Sequence, residues 1–258
     1  MAIGIFDSGV GGLSIAQQVR TLLPYEDIIY LADSGHAPYG EKSQHYILQR
    51  CTTIIQCLID KGATLVVIAC NTATVSAISA LREMFPIPIV GVEPGVKTAV
   101  KNCKSGVVGI LATTQTLKSA LFQQLAQRFS NKIKVEAQAC PGLVEQVEAL
   151  HLTDHKTQVL VAQYVQPLLN KGADHLVLGC THYAFLAPVI KIVAGPNVSI
   201  INTAIPVALE VARRLDIEGL ASASTAAGGE CFFSSGEQDL AHRQFNALWG
   251  KAVKVETF

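Results

Sequence analysis

Charge is scarce in this chain: Asp, Glu, Lys and Arg make up 16% of its 258 residues, and the 20 basic side chains balance the 20 acidic ones. Without a net charge there is no global field to draw the protein onto nucleic acid or an anionic membrane, so a charged ligand has to be recognised locally. Apolar runs of the roughly 20 residues that a membrane span requires are missing too. The start, Met1 to Asp7, lacks the basic lead of a secretory signal. A soluble, cytoplasmic protein is the expectation, with no nucleic-acid or membrane partner. The seven cysteines are odd in number and irregularly spaced, which in a reducing compartment excludes a disulfide framework and leaves most of them as small buried hydrophobes. Half of the residues are apolar, enough for the core of one large domain or two small ones.

Short apolar runs alternate with longer segments of helical period, which predicts βα units around parallel or mixed sheets. Ala2 to Phe6 reads as a first strand, followed by the turn Asp7-Ser8-Gly9-Val10-Gly11-Gly12 and a helix from Leu13 to Leu23 that Pro24 closes. Strands follow at Ile28 to Ala32, Leu65 to Ala69 and Ile87 to Val92. The second is separated from the third by a helix whose buried stripe is Ile47, Cys51, Ile54, Ile55 and Leu58. Cys70-Asn71-Thr72 begins a further helix. From Gly106 the theme restarts, with strands at Val107 to Leu111, Lys134 to Ala139, Leu176 to Gly179 and Ser199 to Thr203, and with helices on either side of His151. Pro167 is expected to kink or end the helix near Val159 to Leu169. A helix from Val207 to Leu215, a small-residue linker around Ala221 to Gly229, whose composition suggests mobility, and a last strand, helix and strand are expected to return to the first half.

An internal repeat is the most informative feature. Lys61-Gly62-Ala63-Thr64-Leu65-Val66-Val67-Ile68-Ala69-Cys70 overlays Lys171-Gly172-Ala173-Asp174-His175-Leu176-Val177-Leu178-Gly179-Cys180 without a gap, and five of the ten positions are identical. Each segment reads as a helix end, a buried strand and a cysteine at the strand's carboxyl end. The fold class that follows is α/β, with two similar α/β domains on mainly parallel sheets, related by a pseudo-two-fold, and the site in the crevice between them. The domains are set at residues 1–97 plus 207–258 and at 98–206.

A cysteine that ends a buried strand is more often packed than reactive. The repeat argues otherwise for Cys70 and Cys180, whereas Cys51, Cys57, Cys103, Cys140 and Cys231 keep the packing reading. Asn71-Thr72 and Thr181-His182 should open the following helices. Free N–H groups there favour an anion and can bring a thiol, ordinarily near 8.5, towards neutrality. Two thiols on opposite faces of one stereocentre invert it if one removes a proton while the other returns one. The glycine-rich turn lacks both the dinucleotide fingerprint and the P-loop Lys-Ser/Thr.

Four segments carry a resemblance: Asp7-Ser8-Gly9-Val10-Gly11-Gly12-Leu13-Ser14, Pro38-Tyr39-Gly40-Glu41-Lys42-Ser43, Ala69-Cys70-Asn71-Thr72-Ala73-Thr74 and Gly179-Cys180-Thr181-His182-Tyr183. In order and spacing they resemble the signature segments of the glutamate racemase family, and Gly91-Val92-Glu93-Pro94 and Cys140-Pro141 through Glu148 extend the likeness. The resemblance implies interconversion of L- and D-glutamate without pyridoxal phosphate or another cofactor and without a metal, supplying D-glutamate for bacterial peptidoglycan. It implies that Cys70 takes the proton from the D-enantiomer and Cys180 from the L-enantiomer, with Asp7 and His182 assisting and Glu148 near the second thiol. It further implies substrate contacts from Asp7, Ser8, Tyr39, Gly40, Asn71, Thr72, Thr181 and His182, with Thr113 and Thr116 as further candidates. A small-molecule substrate is the partner expected, and a homodimer is left open. The rivals are a related two-cysteine enzyme acting on aspartate, a hydantoin or maleate, a zinc enzyme with Cys70, Cys180 and His182 as ligands, and a binding protein without catalysis.

Overall fold

A computed structural model describes residues 1–258 apart from Pro94, Ser130 and Lys132. The first half runs β1 (Ala2–Asp7), α1 (Leu13–Leu22), β2 (Asp27–Ala32), α2 (Gln44–Asp60), β3 (Ala63–Ile68), α3 (Asn71–Met84) and β4 (Ile89–Gly91). The second runs α4 (Val96–Asn102), β5 (Val107–Ala112), α5 (Thr114–Lys118), α6 (Ala120–Phe129), β6 (Lys134–Ala139), α7 (Leu143–Glu148), α8 (His155–Asn170), β7 (His175–Gly179), α9 (Ala187–Ala194) and β8 (Ser199–Ile201). The tail adds α10 (Ala204–Ile217), β9 (Glu230–Ser234), α11 (Gln238–Trp249) and β10 (Val255–Thr257).

The strands form two sheets, β10-β9-β2-β1-β3-β4 and β6-β5-β7-β8. Every strand pair is parallel. The order 2-1-3-4 in the first sheet is the order 6-5-7-8 in the second, so the ten-residue repeat belongs to a repeated topology. Its glycines agree in conformation, with Gly62 at φ 94° and Gly172 at φ 89°, where a side chain would be strained. The tail strands extend the first sheet along β2, as expected.

Local chemistry explains most element limits. Ser43 caps α2 by accepting from the Tyr46 N–H at 3.2 Å, and the helix buries Ile47, Cys51, Ile54, Ile55 and Leu58, the five residues that its period selected. Asp154 caps α8 in the same way, at 3.0 Å from the Thr157 N–H. Pro167 does not end α8, which continues to Asn170. Pro167 and Gln163 are both exposed, so the carbonyl deprived of its N–H partner faces water while Val161, Tyr164, Val165 and Leu168 hold the buried face. The strands expected to reach Val92 and Thr203 stop at Gly91 and Ile201. The linker around residues 221–229 has no regular structure, yet Glu26 accepts from the Ser222 N–H at 2.6 Å and Arg20 donates to the Gly229 carbonyl at 2.8 Å.

One hydrophobic cluster crosses from half to half, joining Ile3, Ile5, Leu13 and Val19 to Val161, Val165, Leu176 and Leu178. It fixes the carboxyl ends of the two sheets against each other. The outer faces carry their own clusters, under α2 and α3 in the first half and under α4 and α6 in the second.

Candidate functional site

In each sheet the strand order reverses once, between β1 and β3 and between β5 and β7, and such a switch point opens a crevice beyond the strand ends. Asp7 ends β1 and Cys70 follows β3; Thr113 follows β5 and Cys180 follows β7. The two crevices meet. The Thr181 hydroxyl donates to Asp7 Oδ2 at 2.8 Å, and Asp7 Oδ1 accepts from the Gly9 N–H at 2.9 Å and the Ser8 hydroxyl at 3.3 Å. The Cys70 thiol donates to Ser8 Oγ at 3.5 Å. A continuous polar path therefore runs from Cys70 through Ser8 and Asp7 to Thr181, the residue next to Cys180. Both thiols are buried and unpaired by disulfide.

Cys70 caps α3, its sulfur accepting from the Ala73 N–H at 3.4 Å. Cys180 has no such support: Thr181–Ala184 is a four-residue 3-10 turn, not the α-helix expected, and it offers no cap bond to the sulfur. Instead Cys180 Sγ lies 3.8 Å from His182 Nδ1, and His182 Nε2 lies 2.7 Å from Glu148 Oε1. The Val10 N–H also donates to Glu148 Oε1, at 2.9 Å. The glycines of the first turn make room for this: a methyl group on Gly9 would meet the Glu148 carboxylate, and one on Gly11 would meet the His182 ring and the Thr181 hydroxyl. Their role exceeds the tight turn that the sequence suggested.

Burial marks the Cys70 thiol electrostatically. Burial, and then the Asp7 carboxylate, push the Cys70 thiol up to about 12 against the Ser8 and Ala73 hydrogen bonds. This reverses the expected shift towards neutrality, because desolvation outweighs the helix N-terminus. Burial also raises the Asp7 carboxyl, opposed by the charge of His182 and the Thr181 hydrogen bond. For His182, burial opposes the charged form, but hydrogen bonds and charge from Cys180 and Glu148 outweigh it and raise the imidazole well above 6.5. An imidazolium thus stands between a thiol and a carboxylate.

Other expected residues are placed as follows. Asn71 opens α3, and both polar atoms of its buried side chain have no hydrogen-bond partner. Thr72 bridges to the second half, its hydroxyl 2.9 Å from that of Thr113 and 3.3 Å from that of Thr116. The Tyr39 hydroxyl donates to Asp33 Oδ2 at 2.6 Å, and Asp33 is paired with Arg50 at 2.7 Å; this buried cluster escaped the sequence reading. Gly40 lines a pocket of about 30 Å³ with Thr113, Cys140 and Tyr183. Pro94 lies outside the described residues. Cys70, Cys180 and His182 form no metal-ligand grouping among the described residues; Cys103, Asp174 and His175 do, with ligand atoms within 4.8 Å of one another, before the amino ends of β5 and β7 and so away from both thiols. No helix among the described residues is long and apolar enough to cross a membrane.

Two buried cysteines thus stand at matching switch points of two parallel α/β halves. Residues 13–209 match the family model described as Asp/Glu/Hydantoin racemase. A glutamate racemase of Methylococcus capsulatus is 52% identical over 253 residues, which is 98% of this chain and 93% of that protein. The fold superposes on glutamate racemase isoform RacE1 of Bacillus anthracis with a TM-score of 0.91, at 31% identity, over 100% of this chain and 97% of the other. It also matches the Escherichia coli glutamate racemase, solved in complex with L-glutamate and an activator, UDP-MurNAc-ala, with a TM-score of 0.88, at 32% identity, over 99% and 97% of the two chains. The chain belongs to the Asp/Glu/hydantoin racemase family.

Proposed function

We propose that this protein is a glutamate racemase that interconverts L- and D-glutamate by direct proton transfer at Cα. The observation that carries the reading is the pairing of Cys70 and Cys180, each at the carboxyl end of a central strand, with Asp7 reached from Cys70 through Ser8 and from the other half through Thr181, the residue after Cys180. Cys180 takes the α-proton of L-glutamate as thiolate while the Cys70 thiol delivers a proton to the opposite face, and in the reverse direction the roles exchange. One proton leaves and one arrives in each turnover, so no redox partner is needed, and neither a cofactor nor a metal is part of the reading.

The resting environment supports this division. His182 lies beside the Cys180 sulfur, and the Glu148 carboxylate behind it helps to keep the imidazole charged and oriented. Cys70 holds its proton and is ready to give it. A substrate ammonium beside the Asp7 carboxyl would lower the raised Cys70 thiol, since an opposite charge within about 4–6 Å favours the ionised form. Asn71 supplies two donors and an acceptor for the substrate's α-substituents; leaving such a buried amide unpaired costs about 1–3 kcal/mol, which binding recovers. Ser8, Thr72, Thr113, Thr116 and Thr181 supply hydroxyls, and Gly40 a backbone lining, for the carboxylates.

The proposal extends to D-glutamate supply for peptidoglycan in the cytoplasm, to a homodimer, and to a domain division at 1–97 plus 207–258 and 98–206, which the strand membership of the two sheets supports. Substitution tests the chemistry. Cys70→Ala and Cys180→Ala should each lower racemisation more than about 1,000-fold, since a missing acid or base is worth about 10²–10⁴ and here nothing replaces it. Wild-type turnover in either variant, measured by polarimetry on metal-free protein, refutes the reading.

A further inference from the structure

The buried face of α11 reads Ala241, Gln244, Phe245, Leu248 and Trp249. Gln244 is the polar exception, and it is 2% exposed. Burying an amide is unfavourable unless it is hydrogen-bonded, and Gln244 spends its donors on one residue. Its Nε2 donates to the Glu148 backbone carbonyl at 2.5 Å and to Glu148 Oε2 at 3.0 Å. Glu148 is the last residue of α7, where carbonyls lack partners within the helix.

Glu148 divides its oxygens. Oε1 accepts from the Val10 N–H and pairs with His182 Nε2, while Oε2 accepts from Gln244. A carboxylate bonded through one oxygen alone can rotate about its last torsion; a donor on each oxygen fixes its plane. Fixing the plane aims Oε1 at His182, and His182 in turn faces Cys180 through Nδ1. The far end of the chain thus reaches the second thiol through two intermediates. Cys70 is braced by other groups, its sulfur held by Ala73 and by Ser8, which in turn donates to Asp7; Gln244 bonds to none of them.

We infer that Gln244 is a positioning residue for the Cys180 half of the reaction: through Glu148 and His182 it fixes the imidazole that faces the Cys180 sulfur. The inference rests on the two-thiol reading above. Weakening one thiol raises the barrier for proton transfer at that thiol and leaves the other transfer as it was, so the effect is one-sided. Because L- and D-glutamate are equal in energy, kcat/KM must fall equally in both directions. The side is therefore read by isotope effects.

The test compares wild type with Gln244→Met, which keeps the volume and removes the donors. Turnover should fall about tenfold with little change in KM, the scale seen when the outer partner that orients an imidazole is lost. The primary deuterium isotope effect on kcat/KM should rise with 2-deutero-L-glutamate and fall with 2-deutero-D-glutamate. Gln244→Glu supplies a rescue readout: its carboxyl can donate to Glu148 only when protonated, so its activity relative to wild type should rise as pH falls. Unchanged turnover, or isotope effects that stay equal for the two enantiomers, overturns the inference, as does a pH-independent activity ratio for Gln244→Glu if Gln244→Met does not fold. Retained turnover in Cys180→Ala instead sinks the two-thiol reading itself.

Discussion

Cys70 and Cys180 occupy the same position of the same repeat, yet their surroundings differ. Cys70 caps a 14-residue helix and sits against a carboxyl and a hydroxyl. Cys180 precedes a 3-10 turn and sits against an imidazolium backed by a carboxylate. The repeat fixes where the sulfurs stand; the loops that follow fix what each can do. On the proposed reading a reaction run in both directions needs one thiol and one thiolate at any moment, and like placement with unlike surroundings suits that division.

That contrast can be broken at several points. The largest effect after loss of either sulfur is expected from His182→Asn, which removes the imidazole beside Cys180 and should cost about 100-fold in turnover; unchanged turnover would remove His182 from the account. Next is Gly11→Ala, whose methyl group meets the His182 ring. Overpacking of this kind costs about 1–3 kcal/mol, and turnover should fall about tenfold, whereas the same change at Gly62, where open space surrounds the position, should lower the melting temperature and leave turnover as it was. A pH effect on stability comes next. The folded state raises the His182 pKa above 6.5, so the stability gained from its protonation is complete below that value and is lost as pH rises through the raised one. The melting-temperature gap between wild type and His182→Gln should therefore narrow towards alkaline pH. Smallest is Thr72→Val, which deletes a hydroxyl that links Thr113 and Thr116 across the halves and should raise KM a few-fold with little change in kcat.

The repeat made both the parallel βα halves and the two cysteines legible, because a buried strand ending in a small polar residue is written in consecutive positions. The glycine turn was visible, but its reason was not: Gly9 and Gly11 are small because Glu148 and His182, far along the chain, occupy the space beside them. Of the kink or end that Pro167 allows, the end is excluded by its exposure, which lets water serve the orphaned carbonyl and is a tertiary fact. The 3-10 turn after Cys180 misled the helix-terminus argument, since Thr181-His182-Tyr183 carries no signal that separates one turn of 3-10 from the start of an α-helix. The resemblance places Tyr39 among the substrate contacts; that its hydroxyl donates to Asp33 needed coordinates. Gln244 did leave a trace, a polar residue in the apolar period of α11, and pairing it with Glu148 needed coordinates.

The account turns on whether the two sulfurs act from opposite faces of Cα. Racemisation of L-glutamate in D2O, stopped within the first few per cent of conversion, addresses this directly, with deuterium at Cα read in each enantiomer. Opposed thiols predict D-glutamate that is fully deuterated and recovered L-glutamate that still carries protium. Deuterium appearing equally in both enantiomers from the outset, as a single base serving both faces would give, contradicts it.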